Sequence, residues 1–268
     1  PHTDFRGDIE SGLAKMAMIG LGNHLGASSF HSIPFEYFPQ YLREGTEILL
    51  NKLPVLFGIG IVQNAYDKIY AIEFAPKEQF LEIDCKLQKI AKEKIASFKF
   101  SKVDILIIDE IGKNFSGFGQ DPNVTGRANG YRKEFASIFN AKRVVILGVS
   151  KESEGNGVGI SAGDVSTREC LLSINWEDVW INLLTSTEIQ GAKMPMYGNN
   201  DKQALQMAIR GCPGTSYDSL KIVHIQNTAQ LHTIQVSTPL LNEIKDRSDI
   251  EFIAGPYTLE FDKKGFLK

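Results

Sequence analysis

Short apolar runs alternate with longer amphipathic stretches along the chain. Residues 55–62 ("VLFGIGIV") form a continuous apolar run, the pattern of a buried strand. Residues 68–74 ("KIYAIEF") alternate apolar and polar positions and read as its hairpin partner, with Asn64, Ala65, Tyr66 and Asp67 in the turn. Residues 76–98 have the spacing of an amphipathic helix. Pro76 sits near the first turn, and Phe80, Leu81, Ile83, Leu87, Ile90, Ile95 and Phe98 supply most of one stripe.

The next run, "VDILII" at 103–108, is the clearest buried strand and ends in Asp109-Glu110. A loop rich in Gly and Asn follows over 111–127. A short helix at 132–139 then leads into a second buried strand, "RVVILGVS". Strand, loop, helix and strand in that order predict a parallel crossover. After the loop "KESEGNGVGISAGD" the pattern predicts helices near 165–173, 176–185 and 201–209. Strands are predicted in "LKIVHIQNT", "LHTIQVS", "IEFIAG" and "YTLEFD". The expected class is α/β, with mixed, largely parallel sheets and flanking helices in one or two lobes. The long helix bridges a first part, 1–98, and a C-terminal α/β domain, 99–268.

Composition narrows the function classes. Of 268 residues, 43% are hydrophobic and 23% charged, enough for a substantial core. The net charge of −3 and the lack of a basic stripe argue against a dedicated nucleic-acid binder. Cys85, Cys170 and Cys212 are odd in number and widely spaced. They read as reduced thiols of a cytoplasmic protein, not as a disulfide frame or a zinc site. No uncharged run approaches the roughly 18 residues of a membrane span, and no signal peptide is visible. The chain opens on Pro-His and enters motif-like sequence at once, as expected of a fragment.

Three segments carry candidate chemistry. "DEIGKNFSGFGQDPNVTGR" follows a buried strand, where α/β sheets bind ligands. It places Asp109, Glu110, Lys113, Asn114, Asp121 and Arg127 among glycines. "GNGVGISAGDVSTR" is a second glycine loop ahead of a helix start at Asp164 or Ser166, which suits either an anion or an ordinary N-cap. The opening segment holds His2, His24 and His31, three of the five histidines, together with Lys15 in apolar company. His224 and His232 read as ordinary strand residues.

The opening segment resembles the nickel-dependent lactate racemase family. Ser11-Gly12-Leu13-Ala14-Lys15 is similar to that family's Ser-Gly-Gly-Ala-Lys stretch. Ile19-Gly20-Leu21-Gly22 falls where the family has Pro-Gly-Ile/Leu-Ala, and His31 follows Lys15 by sixteen residues, as the family's metal-binding histidine does. "DILIIDEIGKNFSGFGQDPNVTGR" and "FDKKGFL" resemble a broader branch of the same superfamily, of which the chain looks like the C-terminal two-thirds. The resemblance implies an isomerase that binds a nickel-pincer nucleotide. Lys15 would be the covalent anchor, His31 the nickel ligand and His2 a catalytic base, with Ser11 and Gly12 in the cofactor-binding stretch. The implied partner is a small 2-hydroxy acid, inverted by reversible hydride transfer. Loop chemistry alone adds Lys113 and Arg127 as groups for its carboxylate. Two other readings stand beside this one. The chain could be a non-catalytic module that binds a nucleotide or carboxylate, or an NAD(P)-dependent oxidoreductase using the Gly20-x-Gly22 turn.

Overall fold

The computed structural model describes residue 3 and residues 5–66, 68–129 and 134–268. The chain forms two compact units. One comprises residues 1–96 with 181–189, the other residues 97–180 with 190–268.

The first unit begins with a short helix, α1 (Leu13–Lys15), that runs into a π-helical turn, Met16–Gly20. Helices α2 (Asn23–His31) and α3 (Phe38–Lys52) follow; α3 has no counterpart among the elements that the sequence pattern predicts. Pro39 sits in the first turn of α3, where a missing N–H costs nothing. Phe5, Ile9, Ala14, Phe30, Phe38 and Leu42 form the core of this part. Next come the antiparallel hairpin β1 (Phe57–Gln63) and β2 (Ile69–Pro76), then α4 (Phe80–Lys94). The Asn64 carboxamide oxygen accepts from the Tyr66 and Lys68 N–H groups and holds the turn, an Asx arrangement.

The predicted hairpin is present, but its first strand is not buried on both faces. Gly58, Gly60 and Val62 face α4, while Phe57, Ile59 and Ile61 point away and are about half exposed or more. The apolar run at 55–62 reads as buried only if both faces of the strand are covered.

In the second unit, strands β3 (Lys102–Ile108), β4 (Asn140–Ile146), β5 (Val165–Thr167) and β6 (Met196–Gly198) pair in parallel, in that order across the sheet. Helix α5 (Pro122–Thr125) lies between β3 and β4. Helices α6 (Arg168–Ser173) and α7 (Trp176–Thr185) follow β5. After α8 (Asp201–Arg210) the chain returns to the far side of β3 as β7 (Ile222–Ile225), also parallel. The short antiparallel strand β8 (Gln235–Val236) closes that edge and is followed by α9 (Thr238–Ile244). The order β6-β5-β4-β3-β7-β8 gives the mixed, mostly parallel α/β sheet expected. One sheet face packs Ile105, Ile107, Val145 and Val165 against Ala204, Leu205 and Ala208 of α8. The alternate positions Leu106, Ile108, Val144 and Ile146 are also fully buried, so both faces are covered. Each such side chain contributes about 1.5–3 kcal/mol through removal from water.

Several expected elements differ. Residues 165–167 are a strand, and the helix begins one residue later; the Thr167 hydroxyl caps it by accepting the Cys170 N–H at 3.1 Å. Parallel pairing on both sides overrides the local helix-start signal. The helix expected at 132–139 is a 3-10 turn over Glu134–Ser137, with residues 130–133 outside the described residues. "IEFIAG" and "YTLEFD" form no ladder beyond a single Phe261–Leu267 bridge; alternation is not enough without a free strand edge to pair with.

The two glycine loops interlock. A Cβ on Gly119 would overlap the Val158 carbonyl oxygen, and one on Gly159 would overlap that of Phe118. Both residues have positive φ, 77° and 96°. The glycines therefore let two backbones touch. Replacing either Gly119 or Gly159 with Ala is expected to destabilise the fold by about 3 kcal/mol or more. Gly117→Ala, with open space around its Cβ, should leave the denaturant midpoint nearly unchanged.

Asp104 ties β3 to its neighbours. Burial pushes its carboxyl up, but the Lys142 ammonium at 2.7 Å and the Lys221 N–H at 2.8 Å outweigh this and hold it below the usual carboxylate range. The stability it supplies is present above the unfolded-state value and lost as pH falls through the lower folded value. Acid titration of Asp104→Asn should accordingly show a shallower loss of stability below about pH 4 than the parent protein does.

Candidate functional site

Lys15 occupies the end of α1, and the sequence around it is built to hold that short helix. Its first N–H groups have no partners within so short a helix. The Asp84 carboxylate of α4 supplies them: one oxygen accepts the Leu13 N–H at 2.8 Å and the other the Ala14 N–H at 2.9 Å. Gly12 has φ 105°, and a Cβ there would overlap Asp84 Oδ1, so the glycine is dictated by the approach of this carboxylate. Ser11 donates its hydroxyl to Gln88 Oε1 at 3.2 Å. One turn further along α4, Lys92 pairs with the fully buried Glu10, which also accepts the Gly7 N–H at 2.9 Å and Gln88 Nε2 at 3.2 Å. Asp84, Gln88 and Lys92 recur every four residues and form a polar stripe on α4. Burial raises the Asp84 carboxyl above its ordinary value, and the two N–H donors work against that.

His31, at the end of α2, packs edge-on against Phe35 and Phe38, with ring centroids 5.9 and 5.4 Å away. Phe5 packs edge-on against the same Phe38 at 5.2 Å, and the Lys15 ammonium lies 5.8 Å from the Phe5 centroid. Lys15 and His31 thus touch one ring cluster. His31 Nδ1 is 2.7 Å from the Ala27 carbonyl oxygen. A carbonyl only accepts, so the proton of a neutral imidazole resides on Nδ1 and Nε2 carries the lone pair. That is the tautomer a metal-binding imidazole adopts, with its second nitrogen oriented by a carbonyl.

No group of three or more His, Cys, Asp or Glu side chains among the described residues could hold a metal ion. His31 Nε2 would be one ligand, and the half-buried Lys15 amine fits a covalent anchor. His2 lies outside the described residues, and His24 is exposed. The Gly20-x-Gly22 segment does not form a strand–turn–helix. Gly20 ends the π-helical turn, and a Cβ on Gly22 would crowd Gly26 Cα, so these glycines serve close helical packing. The thiols are free; burial pushes Cys170 up to about 11, which leaves it a poor nucleophile at neutral pH.

The second unit has its own candidate. A cavity of about 450 Å³ is lined by Asp109, Leu147 and Thr167 at the carboxyl ends of β3, β4 and β5, by Glu169, Asp201 and His224, and by Phe266 and Lys268. It lies beside the β3–β7 boundary, where connections leave the sheet in opposite directions, the usual ligand position in open α/β sheets. His224 Nε2 is 2.6 Å from Asp109 Oδ1, and its Nδ1 is 3.1 Å from Gln235 Oε1. Burial raises the Asp201 carboxyl; the Leu267 N–H opposes this, and the Asp109, Glu169 and Asp262 charges add to it. His224 was expected to fill an ordinary strand position. Its partnership with Asp109 spans 115 residues and arises only because β7 is laid beside β3.

Lys113 and Arg127, expected to greet a substrate carboxylate, both lie on the loop segment that follows β3 in the second unit. Arg127 pairs with Asp164 at 2.7 Å and donates to the Ala162 and Ala141 carbonyls at 2.8 and 3.2 Å, so its guanidinium ties loops to the sheet. Lys113 keeps solvent contact, while partial burial of its ammonium draws its pKa below the ordinary lysine value. Its N–H donates to the Ser153 hydroxyl at 2.8 Å, within a cluster of Ser150, Ser153 and Asn114.

The chain matches no protein-family model, no curated protein and no solved structure. No helix among the described residues is long and apolar enough to cross a membrane.

Removing the Asp84 carboxylate tests the framework of the Lys15 site. Asp84→Ala strands two N–H donors and is expected to cost about 2–3 kcal/mol in denaturant unfolding. Asp84→Asn, which keeps one acceptor oxygen, should lose less.

Proposed function

We propose that this chain belongs to an isomerase that racemises or epimerises a small 2-hydroxy carboxylic acid on a nickel-pincer nucleotide anchored at Lys15. The observation that carries the reading is the common ring cluster of Lys15 and His31, with the His31 tautomer set by the Ala27 carbonyl so that Nε2 is the ligand atom. Two features of the same segment support it. The Ser11–Lys15 stretch is held by buried acceptors on α4. Lys15 also leads directly into a π-helical turn, a rare conformation that recurs at functional sites.

In this reading Lys15 fixes the orientation of the cofactor covalently, which removes the entropy of positioning it for each turnover. His31 holds the metal through Nε2 while the Ala27 carbonyl keeps the ring from turning. When bound, the cofactor supplies a reversible acceptor for the substrate's α-hydride. His2 is the group proposed to take the hydroxyl proton. Arg127, which ties loops of the second unit to their sheet, is assigned to the framework of that unit.

The cavity beside His224 and Asp109 favours a second reading, a small-molecule binding module. Its walls carry three carboxylates, Asp109, Glu169 and Asp201, against the single ammonium of Lys268 and the His224 imidazole, a balance that suits a neutral or cationic ligand better than an anionic one.

The test is an intact-mass measurement on protein co-expressed with cofactor-making enzymes. The expected result is an added mass that maps to Lys15 and is missing from Lys15→Ala, with about one nickel per chain for the adduct. Neither adduct nor nickel on the folded protein would sink the proposal.

A further inference from the structure

The hairpin of the first unit is built the wrong way round for a solvent-exposed sheet. Its row facing α4 and Leu13 consists of small or short side chains: Gly58, Gly60 and Val62 on β1, Ala71 and Ala75 on β2. A Cβ on Gly58 would come within 2.8 Å of Phe80, and one on Gly60 would run into Leu87, so this side is already packed. Glu73, also on this row, pairs with Lys86 of α4 at 2.6 Å.

The opposite row carries the bulk. Phe57, Ile59, Ile61, Ile72 and Phe74 are 49%, 54%, 59%, 59% and 60% exposed. Ile59 stands opposite Phe74 and Ile61 opposite Ile72, while the Phe57 and Phe74 rings lie 4.9 Å apart. These five form one contiguous apolar surface, and none carries a charge. Ordinary strands put their β-branched and aromatic residues on the buried face and polar residues outside. A two-stranded sheet is also marginal unless further apolar surface covers it.

We infer that this face is the contact between two copies of the chain, stacked hairpin on hairpin about a twofold axis. A twofold contact brings a surface against itself, so a charged row would repel and a neutral apolar row does not. Five half-exposed side chains of this size present on the order of 500 Å² per copy, and a stacked pair buries about 1,000 Å² in total, the lower bound for a specific interface. Two twisted hairpins pack face to face at about 10 Å with interdigitating side chains, which completes a small sandwich.

The experiment is sedimentation velocity with light scattering on the 268-residue chain, from about 1 to 100 μM, so that mass action reveals the dimer. The parent protein is expected to dimerise within that range. The double variant Ile61→Lys/Phe74→Lys is expected to be monomeric throughout, with its far-ultraviolet circular dichroism retained because both side chains point outward. Should it fail to fold, Ile61→Thr keeps a β-branched residue on the strand and should still weaken the dimer at least about tenfold. A parent protein that stays monomeric at the highest concentration overturns the proposal, including one that instead binds lipid vesicles. So does a dimer that folded hairpin variants leave intact, since the contact then lies elsewhere.

Discussion

The Lys15 segment depends on one carboxylate. Asp84 reaches from the second turn of α4 to the start of a helix too short to satisfy its own N–H groups, and both of its oxygens are used. A buried carboxylate is costly unless it is hydrogen-bonded, and an uncapped helix end is costly when buried; each reduces the other's penalty. Gly12 follows from this contact, because no Cβ fits beside Asp84 Oδ1. Gln88 and Lys92 extend the same face to Ser11 and Glu10. The residues that make "SGLAK" look like a motif are thus, in large part, the residues needed to dock it on α4.

The second unit shows the same economy with a different contact. Two glycine loops beyond β3 and β4 touch backbone to backbone at Gly119 and Gly159. Arg127 fastens one of them to Asp164 and to two carbonyls. These loops look like ligand cradles in sequence, since glycine and charge are what a cradle needs. The same composition serves a loop–loop junction, and here the glycines and Arg127 serve the junction. The groups left facing the cavity at the sheet's carboxyl edge are Asp109, His224, Asp201 and Glu169, drawn from four separate segments.

The hairpin separates two properties that hydropathy merges. Residues 55–62 are apolar throughout, which is correct for a strand covered on both sides. The chain itself covers only the glycine side. The bulky side stays open, and its apolar surface is a driving force left unused in the first unit.

Periodicity alone determined the hairpin, the amphipathic α4 and the parallel β3 and β4 strands, because each has a strong local pattern. The resemblance of Ser11–Lys15 to a known family's stretch, with the sixteen-residue spacing from Lys15 to His31, singled out those two residues. Tertiary structure decided the rest. It turned residues 165–167 into a strand, because a vacant parallel position between β4 and β6 outweighs a local helix-start signal. It left residues 250–259 outside any strand ladder, because alternation without a strand edge to pair with forms no ladder. It brought His224 to Asp109 and Asp84 to Leu13, contacts spanning 115 and 71 residues. No local pattern encodes such pairs; they exist only once the sheet order and the docking of α4 have brought distant segments together.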